Sequence, residues 1–527
     1  MADLPELRIG IDVGGTNTDA VVLDADGRVI VKAKRPTTPD VTGGLRAALD
    51  AVLGELGERT TGIGRVMLGT THATNAILER RGLGRVAVLR LGAPATTSVP
   101  PLTDWPDDLR EAVSAGEAIV PGGHYVDGRE ISPPDLDAVR RFLEGRQADA
   151  VAVTSVFSPA SGEHERLVAE LVRAEYGLPV SVSHEIGSLG LLERENATVL
   201  NAALYGVAAH VTDALVTALA ERGLGTSDRP AQPYLAQNDG TLMTVEHAAR
   251  LPVSTIGSGP ANSLRGAAFL SGVADAIVVD VGGTSTDLGV LSGGFPRESA
   301  AAVEIGGVLT NFRMPDILAI ALGGGTMVRR HGIGPDSAGY RIVREALVFG
   351  GGTATMTDAA VAAGRSPREA PGWRDRLDAA LGDMSEGMAD TLERAVAVAD
   401  EMVIDAVDRM SLGKTDRPLV AVGGGAFLLP DRIPGASRVI RPEHAEVANA
   451  VGAAIALASG RVDTILPAGD NRSEAIERAK EEAVGRAVAA GADPSGVEIV
   501  DLLEVPLSYL SEPAVRVHVK AAGPLAR

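Results

Sequence analysis

Residues 9–24, IGIDVGGTNTDAVVLD, return at 277–292 as IVVDVGGTSTDLGVLS, and at this offset of 268 Ile9, Asp12, Val13, Gly14, Gly15, Thr16, Thr18, Asp19, Val22 and Leu23 are repeated unchanged. A chain that carries one turn twice, half its length apart, has to build the same local structure in two places. The residues after the glycines decide which structure that is. In a dinucleotide fingerprint or a Walker loop the glycines open a helix, so the next residues show helical periodicity. Here TDAVVLDADGRVIVKAKR reads as an apolar strand, an Asp26-Gly27 turn and a second alternating strand. The second copy runs TDLGVL into a Ser292-Gly293-Gly294 turn and a short strand. Each copy is predicted to be a β-meander with a glycine loop between its first two strands.

Such a loop has a definite chemistry. Adjacent glycines, Gly14-Gly15 and Gly282-Gly283, let backbone N–H groups approach a polyphosphate with no Cβ in the way, and the hydroxyls of Thr16, Thr18, Thr284 and Thr286 add donors. Asp12 and Asp280 each end a strand just before the turn, where a carboxylate holds hydrated Mg²⁺ against phosphates. Asp12, Asp280, Thr16 and Thr284 are therefore the expected catalytic set, with the two aspartates as metal ligands. Alone, each Gly-Gly is also what a hairpin turn beside an Asp cap looks like. The matched meanders and paired aspartates favour two loops clamping one nucleotide, ATP. Two further runs fit: PLVAVGGGAFLLP at 418–430, where Gly423, Gly424 and Gly425 offer bare backbone to a flat base, and ILAIALGGGTMVRR at 317–330, with Gly323, Gly324 and Gly325.

Charge and composition exclude other classes. A net charge of −20 with no basic cluster rules against nucleic acid, so an anionic ligand must be met by backbone N–H groups and a metal ion. The absence of cysteine removes disulfides, thiolate nucleophiles and Cys-ligated zinc. The nine histidines show no His-x-His or HExxH spacing, and GSGPANS lacks the strand-to-helix pattern of a nucleophile elbow. The first residues lack a secretory pattern, and no run of about 18 apolar residues appears, so a cytoplasmic location with no membrane span is expected. With 527 residues but only 3% aromatics, two or more large domains with aliphatic, Ala-rich cores are expected.

The constellation resembles the actin-like ATPase superfamily, and within it the hydantoinase and 5-oxoprolinase family. The likeness runs in order through IDVGGTNTDAVV, LGTTHATNAILERRGLGRVAVL at 68–89, ERENATVLNAAL at 193–204, QNDGTLM at 237–243, STIGSGPANSLRGA at 254–267, VDVGGTSTDLGVL and ALGGGTMV. The resemblance implies an α/β fold of two duplicated ribonuclease H-like lobes with a nucleotide cleft between them. Residues 1–185 would form the first lobe, 186–462 the second, and 463–527 a small C-terminal α+β unit. It also implies ATP- and Mg²⁺-dependent phosphorylation of a cyclic amide, such as a hydantoin or 5-oxoproline, to activate it for ring opening. A ketone carboxylase subunit, a sugar-type kinase and a nucleotide-switched binding protein are the alternatives. A kinase needs a base in the cleft, for which only Asp19 and Asp239 offer themselves.

Substrate contacts are expected from Thr70, Thr71, His72 and Asn75, on the family's characteristic GTTHATNA block, and from Asn238 and Asp239. The plain alternatives are a helix cap for Thr71 or Asn75 and a turn for QNDG. Glu193, Asn196, Asn201, Ser258 and Asn262 are further polar candidates, and His184 beside Glu185 reads as surface or satisfied core. A Pro-rich crossing occupies 93–108, and ENATVLNAALYGVAAHVTDALVTALAERGL reads as one long helix. Because no nucleophile with its base is recognisable and nothing after residue 460 is large enough to supply a second enzyme, a separate B-type partner subunit is expected to complete the reaction. Homo-oligomerisation is left open.

Overall fold

A computed structural model describes residues 6–526, apart from 16, 39–40, 188, 225–230, 300–301, 312–313, 368–369, 383–386, 412–415, 468–470 and 508–513. Thr16 lies outside the described residues. The fold is mixed α/β. Leu7–Val13 (β1), Asn17–Leu23 (β2) and Val29–Pro36 (β3) make the first meander, and Ile63–Thr70 (β4) lies parallel to β1. Val86–Ala93 (β5), Ser114–Pro121 (β6), Ala150–Ser155 (β7) and Val180–Val182 (β8) form a separate all-parallel sheet in the order β6-β5-β7-β8. Gln232–Ala236 (β9) and Leu242–Thr244 (β10) follow, then the second meander, Ala276–Val281 (β11), Thr286–Ser292 (β12) and Phe295–Pro296 (β13). Two small hairpins, Val303–Ile305 (β14) with Val308–Thr310 (β15) and Thr326–Arg329 (β17) with Gly332–Ser337 (β18), flank Ile317–Ile320 (β16). Arg417–Val422 (β19), Ala436–Ile440 (β20), Ala458–Pro467 (β21), Glu498–Leu507 (β22) and Ala514–Gly523 (β23) complete the set.

The repeat in sequence is a repeat in topology. One sheet contains β3-β2-β1-β4-β9 and the other β13-β12-β11-β19-β20, each with an antiparallel meander followed by two parallel strands. The register is also repeated, with Asp12 opposite Asp19 and Asp280 opposite Asp287. β1 and β11 are buried almost throughout, and β11, AIVVDV, reads accordingly as a near-continuous apolar run, whereas β1, LRIGIDV, alternates its apolar residues with Arg8, Gly10 and Asp12.

The expected tripartite division does not follow the sheets. The first sheet has nine strands, β22-β23-β21-β10-β9-β4-β1-β2-β3, so strands from beyond residue 186 and from the end of the chain extend it. The 462/463 boundary falls inside β21. The helix Arg472–Ala489 buries Ile476, Ala479, Ala483 and Ala487 in the same core as β1 and β4, so the C-terminal segment is continuous with that sheet rather than appended. The expected long helix is two, Leu191–Ala203 and Tyr205–Ala220, bent by 48° at Leu204. Among the described residues no single helix is long and apolar enough to cross a membrane.

Two short-residue helices join the halves. Ser258–Ser271 and Ala448–Ile455 cross where a Cβ on Gly266 would lie 1.8 Å from the Ala448 carbonyl oxygen and one on Gly452 would lie 1.9 Å from that of Asn262. Only bare backbone fits at that crossing. Its effect is to fix Asn262, Ser263 and Asn449 beside both meanders.

Candidate functional site

The two glycine loops face one cavity of about 630 Å³, a size suited to a cofactor or small ligand. Asp12, Gly14, Gly15, Asp19 and Lys34 line it from the first meander, and Asp280, Gly282, Gly283, Thr284 and Asp287 from the second. The loops are built alike: the Gly14 N–H donates to the Asn17 carbonyl at 3.0 Å, and the Gly282 N–H to that of Ser285 at 2.9 Å. Those two N–H groups are therefore spent in the turn, contrary to their expected role as phosphate donors. The Gly15 and Gly283 N–H groups have no acceptor among the described residues and are the donors the loops present.

The threonines divide in the same way. Thr284 lines the cavity, whereas Thr286 is buried and donates to the Leu322 carbonyl, and Thr18 is buried against the Thr37 hydroxyl at 3.3 Å. Thr18 and Thr286 thus hold the loops' shape and offer no phosphate contact. Gly323 and Gly325 are also scaffold: the Gly324 and Gly325 N–H groups donate to the Gly282 and Gly283 carbonyls, and of the three only Gly324 lines the cavity. Of Gly423, Gly424 and Gly425, all lining it, Gly424 alone has open space where a Cβ would stand. Beside that run Phe349, Trp373 and Phe427 form an edge-to-face aromatic wall, ring centroids 5.0 and 6.0 Å apart. In a chain with so few aromatics, three on one wall is a signal that no local motif carried.

The aspartates are the electrostatic centre. Asn449 Nδ2 donates to Asp12 Oδ2 at 3.0 Å and to Asp19 Oδ2 at 3.2 Å, and Asn262 Nδ2 to Asp12 Oδ1 at 3.4 Å. Ser263 donates to Asp280, and Lys34 pairs with Asp19 at 2.8 Å. In each half a glycine makes room, Gly69 on β4 and Gly423 just past the end of β19: a Cβ on Gly69 would stand 2.3 Å from Asp12 Oδ1, and one on Gly423 2.2 Å from Asp280 Oδ1. Burial and then Asp19 push the Asp12 carboxyl up to about 6. Burial and then Asp280 push Asp287 up to about 7, and burial raises Asp280. Among the lining residues Lys34 is the one Lys or Arg against Asp12, Asp19, Asp280, Asp287 and Glu446. A polyphosphate fits such a cavity only with a divalent cation between it and the carboxylates. Among the described residues no three carboxylate or imidazole groups converge tightly enough to chelate an ion alone.

The expected substrate residues separate. Thr71 lines this cavity, its N–H donating to the Val13 carbonyl, and Asn75 donates to the Thr71 hydroxyl at 3.4 Å. Thr70 is buried and bonded to His72 Nδ1 at 2.6 Å, and neither residue lines the cavity. Asn238 and Asp239 lie elsewhere. Although burial opposes ionisation, Lys520 at 2.8 Å and Arg461 at 2.6 Å hold Asp239 well below the usual carboxylate range, so it is a structural anion and offers no base to the cleft. Asn196 accepts from the Trp105 indole at 2.7 Å, and Asn201 donates to the Arg250 carbonyl and the Ser181 hydroxyl, so both are structural. The Pro-rich crossing is tied down by Arg90, which donates to the Thr96 and Val99 carbonyls while pairing with the buried Glu195 at 2.6 Å.

Residues 8–176 match the model of the hydantoinase/oxoprolinase N-terminal region, and residues 194–462 that of the hydantoinase/oxoprolinase domain. The caprolactamase subunit alpha of Pseudomonas jessenii is 28% identical over 482 residues, 80% of this chain and 66% of that protein. The acetophenone carboxylase gamma subunit of Aromatoleum aromaticum is 29% identical over 399 residues, 68% of this chain and 53% of that one. This chain thus spans just under two thirds and about half of their lengths. The crystal structure of the ATP-dependent caprolactamase from Pseudomonas jessenii superposes with a TM-score of 0.76 at 22% identity, covering 99% of this chain and 88% of that one.

Proposed function

The chain belongs to the hydantoinase/oxoprolinase family, and from that membership we propose that it is the ATP-using subunit of a cyclic-amide hydrolase, with two duplicated, ribonuclease H-like lobes closing on the nucleotide. The observation that carries this reading is the cavity in which both copies of the glycine loop and both strand-ending aspartates meet. The Gly15 and Gly283 N–H groups and Thr284 receive the phosphates. Asp12 and Asp280, held by Asn262, Asn449 and Ser263, balance the cation. The open backbone at Gly424 and the wall of Phe349, Trp373 and Phe427 take the flat base. Thr71, which lines the same cavity, is the residue of the GTTHATNA block that meets the acceptor.

An unstrained lactam is a poor electrophile, and the nucleotide supplies a phosphoryl group whose transfer to the amide oxygen removes the amide resonance and makes the ring carbon open to attack by water. The chain's own contribution to such a step is positioning and charge balance, with backbone donors fixed in advance. The balanced reaction takes one lactam, two waters and one ATP to the ring-opened amino acid, ADP and phosphate: the first water adds to the phosphorylated amide carbon and the C–N bond breaks to leave a free amine and an acyl phosphate, and the second water hydrolyses the acyl phosphate. Water addition falls to a second subunit; that the relatives are themselves named as subunits supports a multi-subunit enzyme. The carboxylase relative favours one other reading, in which a ketone's enolate oxygen accepts the phosphoryl group.

ADP release by the purified chain with Mg²⁺ separates these readings. Stimulation by lactams or hydantoins is the expected result. Stimulation confined to ketones with bicarbonate points to the carboxylase reading, and stimulation by hydroxyl compounds alone defeats both.

A further inference from the structure

A second cavity, of about 570 Å³, shares no lining residue with the first. It lies where the segment after β8 (His184 to Gly187), the loop after β9 (Gln237, Asn238), β21, β23 and the helix Arg472–Ala489 come together. Ser254 lines this cavity and Gly259 the other, so a five-residue step, at most about 18 Å of chain, separates their walls.

Its chemistry is opposite to that of the nucleotide cavity. Arg166, Arg250, Arg461 and Arg486 line it, against Glu185, Asp463 and Glu482. Arg461 is held by Asp239 at 2.6 Å and Glu298 at 2.8 Å, and Arg486 by Glu482 at 2.7 Å. Arg166 has no carboxylate within 4 Å among the described residues, and Arg250 has only Glu185, at 3.9 Å. His518 on β23 is 3% exposed, yet neither ring nitrogen makes a hydrogen bond among the described residues; the nearest carboxylate oxygens stand 3.6 Å away on Asp463 and 3.9 Å away on Asp501. A buried imidazole with both nitrogens unsatisfied is costly unless something else completes it. The imidazole of His247, held down at about 4 by burial and then by Arg250, adds a neutral donor and acceptor to the same wall.

We infer that this cavity is a second ligand site, one that takes a small organic carboxylate on Arg166 and Arg250 with the rest of the molecule reaching His518 and Asn238. A guanidinium matches a carboxylate in geometry and charge, and these are the two arginines of the lining that no close carboxylate holds among the described residues. If the lactam reading holds, ring opening frees one carboxylate, so the ligand class is that of the ring-opened product. That identification rests on the proposed function, whereas the carboxylate preference rests on the cavity.

The test is calorimetric titration of the nucleotide-free chain with 6-aminohexanoate and with L-glutamate, against hexylamine, which lacks the carboxylate. Saturable binding of at least one carboxylate but not of hexylamine is expected. The exposed change Arg166→Gln and, separately, His518→Gln should each weaken it about 10-fold or more while ATP binding stays as in the wild type. No saturable binding of either carboxylate up to about 10 mM, equal binding of hexylamine, or unchanged binding in Arg166→Gln overturns the proposal. Lactam-stimulated ADP release is read separately. Its absence with carboxylate binding intact counts against the proposed function and leaves the second site standing.

Discussion

Asp12 is a buried carboxylate facing Asp19 across a hairpin, and the fold keeps it there at a cost. A carboxyl pushed from about 4 to about 6 opposes folding by about 3 kcal/mol once both states are ionised. The unfolded chain ionises first, so this loss develops as pH rises from about 4 and is complete above about 6. Asp12→Asn should therefore raise the thermal stability of the nucleotide-free chain at pH 8 and raise it little at pH 4, while ATP turnover falls by about 10² or more. The new amide can be accommodated, because Asn262 Oδ1 has no partner among the described residues and a rotated Asn262 amide presents it as an acceptor. Differential scanning fluorimetry and an ADP assay read the two effects, and wild-type turnover would remove Asp12 from the machinery. At this scale the sequence made Asp12 and Asp280 legible through the repeat. It could not show that Gly14 and Gly282 consume their own N–H groups in the turn, since which N–H stays free depends on three-dimensional closure of the loop.

Between residue and molecule, the decisive elements are the helices Ser258–Ser271 and Ala448–Ile455. Their crossing at Gly266 and Gly452 sets Asn262 and Asn449 on Asp12, and a Cβ at position 452 meets backbone that has no room to move. Gly452→Ala should cost about 1–3 kcal/mol despite the better helix propensity of alanine, whereas Gly54→Ala, in a helix with open space at that position, should be neutral or stabilising by up to about 1 kcal/mol. Urea unfolding of both variants decides, and equal stability of the two would mean that the crossing tolerates separation. Residue pattern located both meanders because each is a local pattern. The bend at Leu204 was not legible: both halves of that stretch are apolar and helical, and only their packing separates them.

The whole molecule brings together loops 268 residues apart, and the partner prediction belongs to this scale. The cavity between the glycine loops contains backbone N–H groups without an acceptor among the described residues, carboxylates and an aromatic wall, but Asp239, the one carboxylate the sequence suggested as a base outside the loops, is locked between Lys520 and Arg461. Given ATP, Mg²⁺ and its substrate, the chain alone should show little ring opening until the second subunit is added; complete product formation without it, measured by chromatography, would assign water addition to this chain. By itself the sequence determined the meanders, the glycine loops, the carboxylates beside them and the family, because each rests on short-range pattern or on the order of motifs. Tertiary structure alone decided that the C-terminal strands extend the first sheet, that Asn238 lies in a second cavity, and that Phe349, Trp373 and Phe427 share one wall. The physical reason is that strand pairing, cavity lining and ion pairing join residues hundreds of positions apart, and hydrogen-bond closure and burial become defined only when those residues meet.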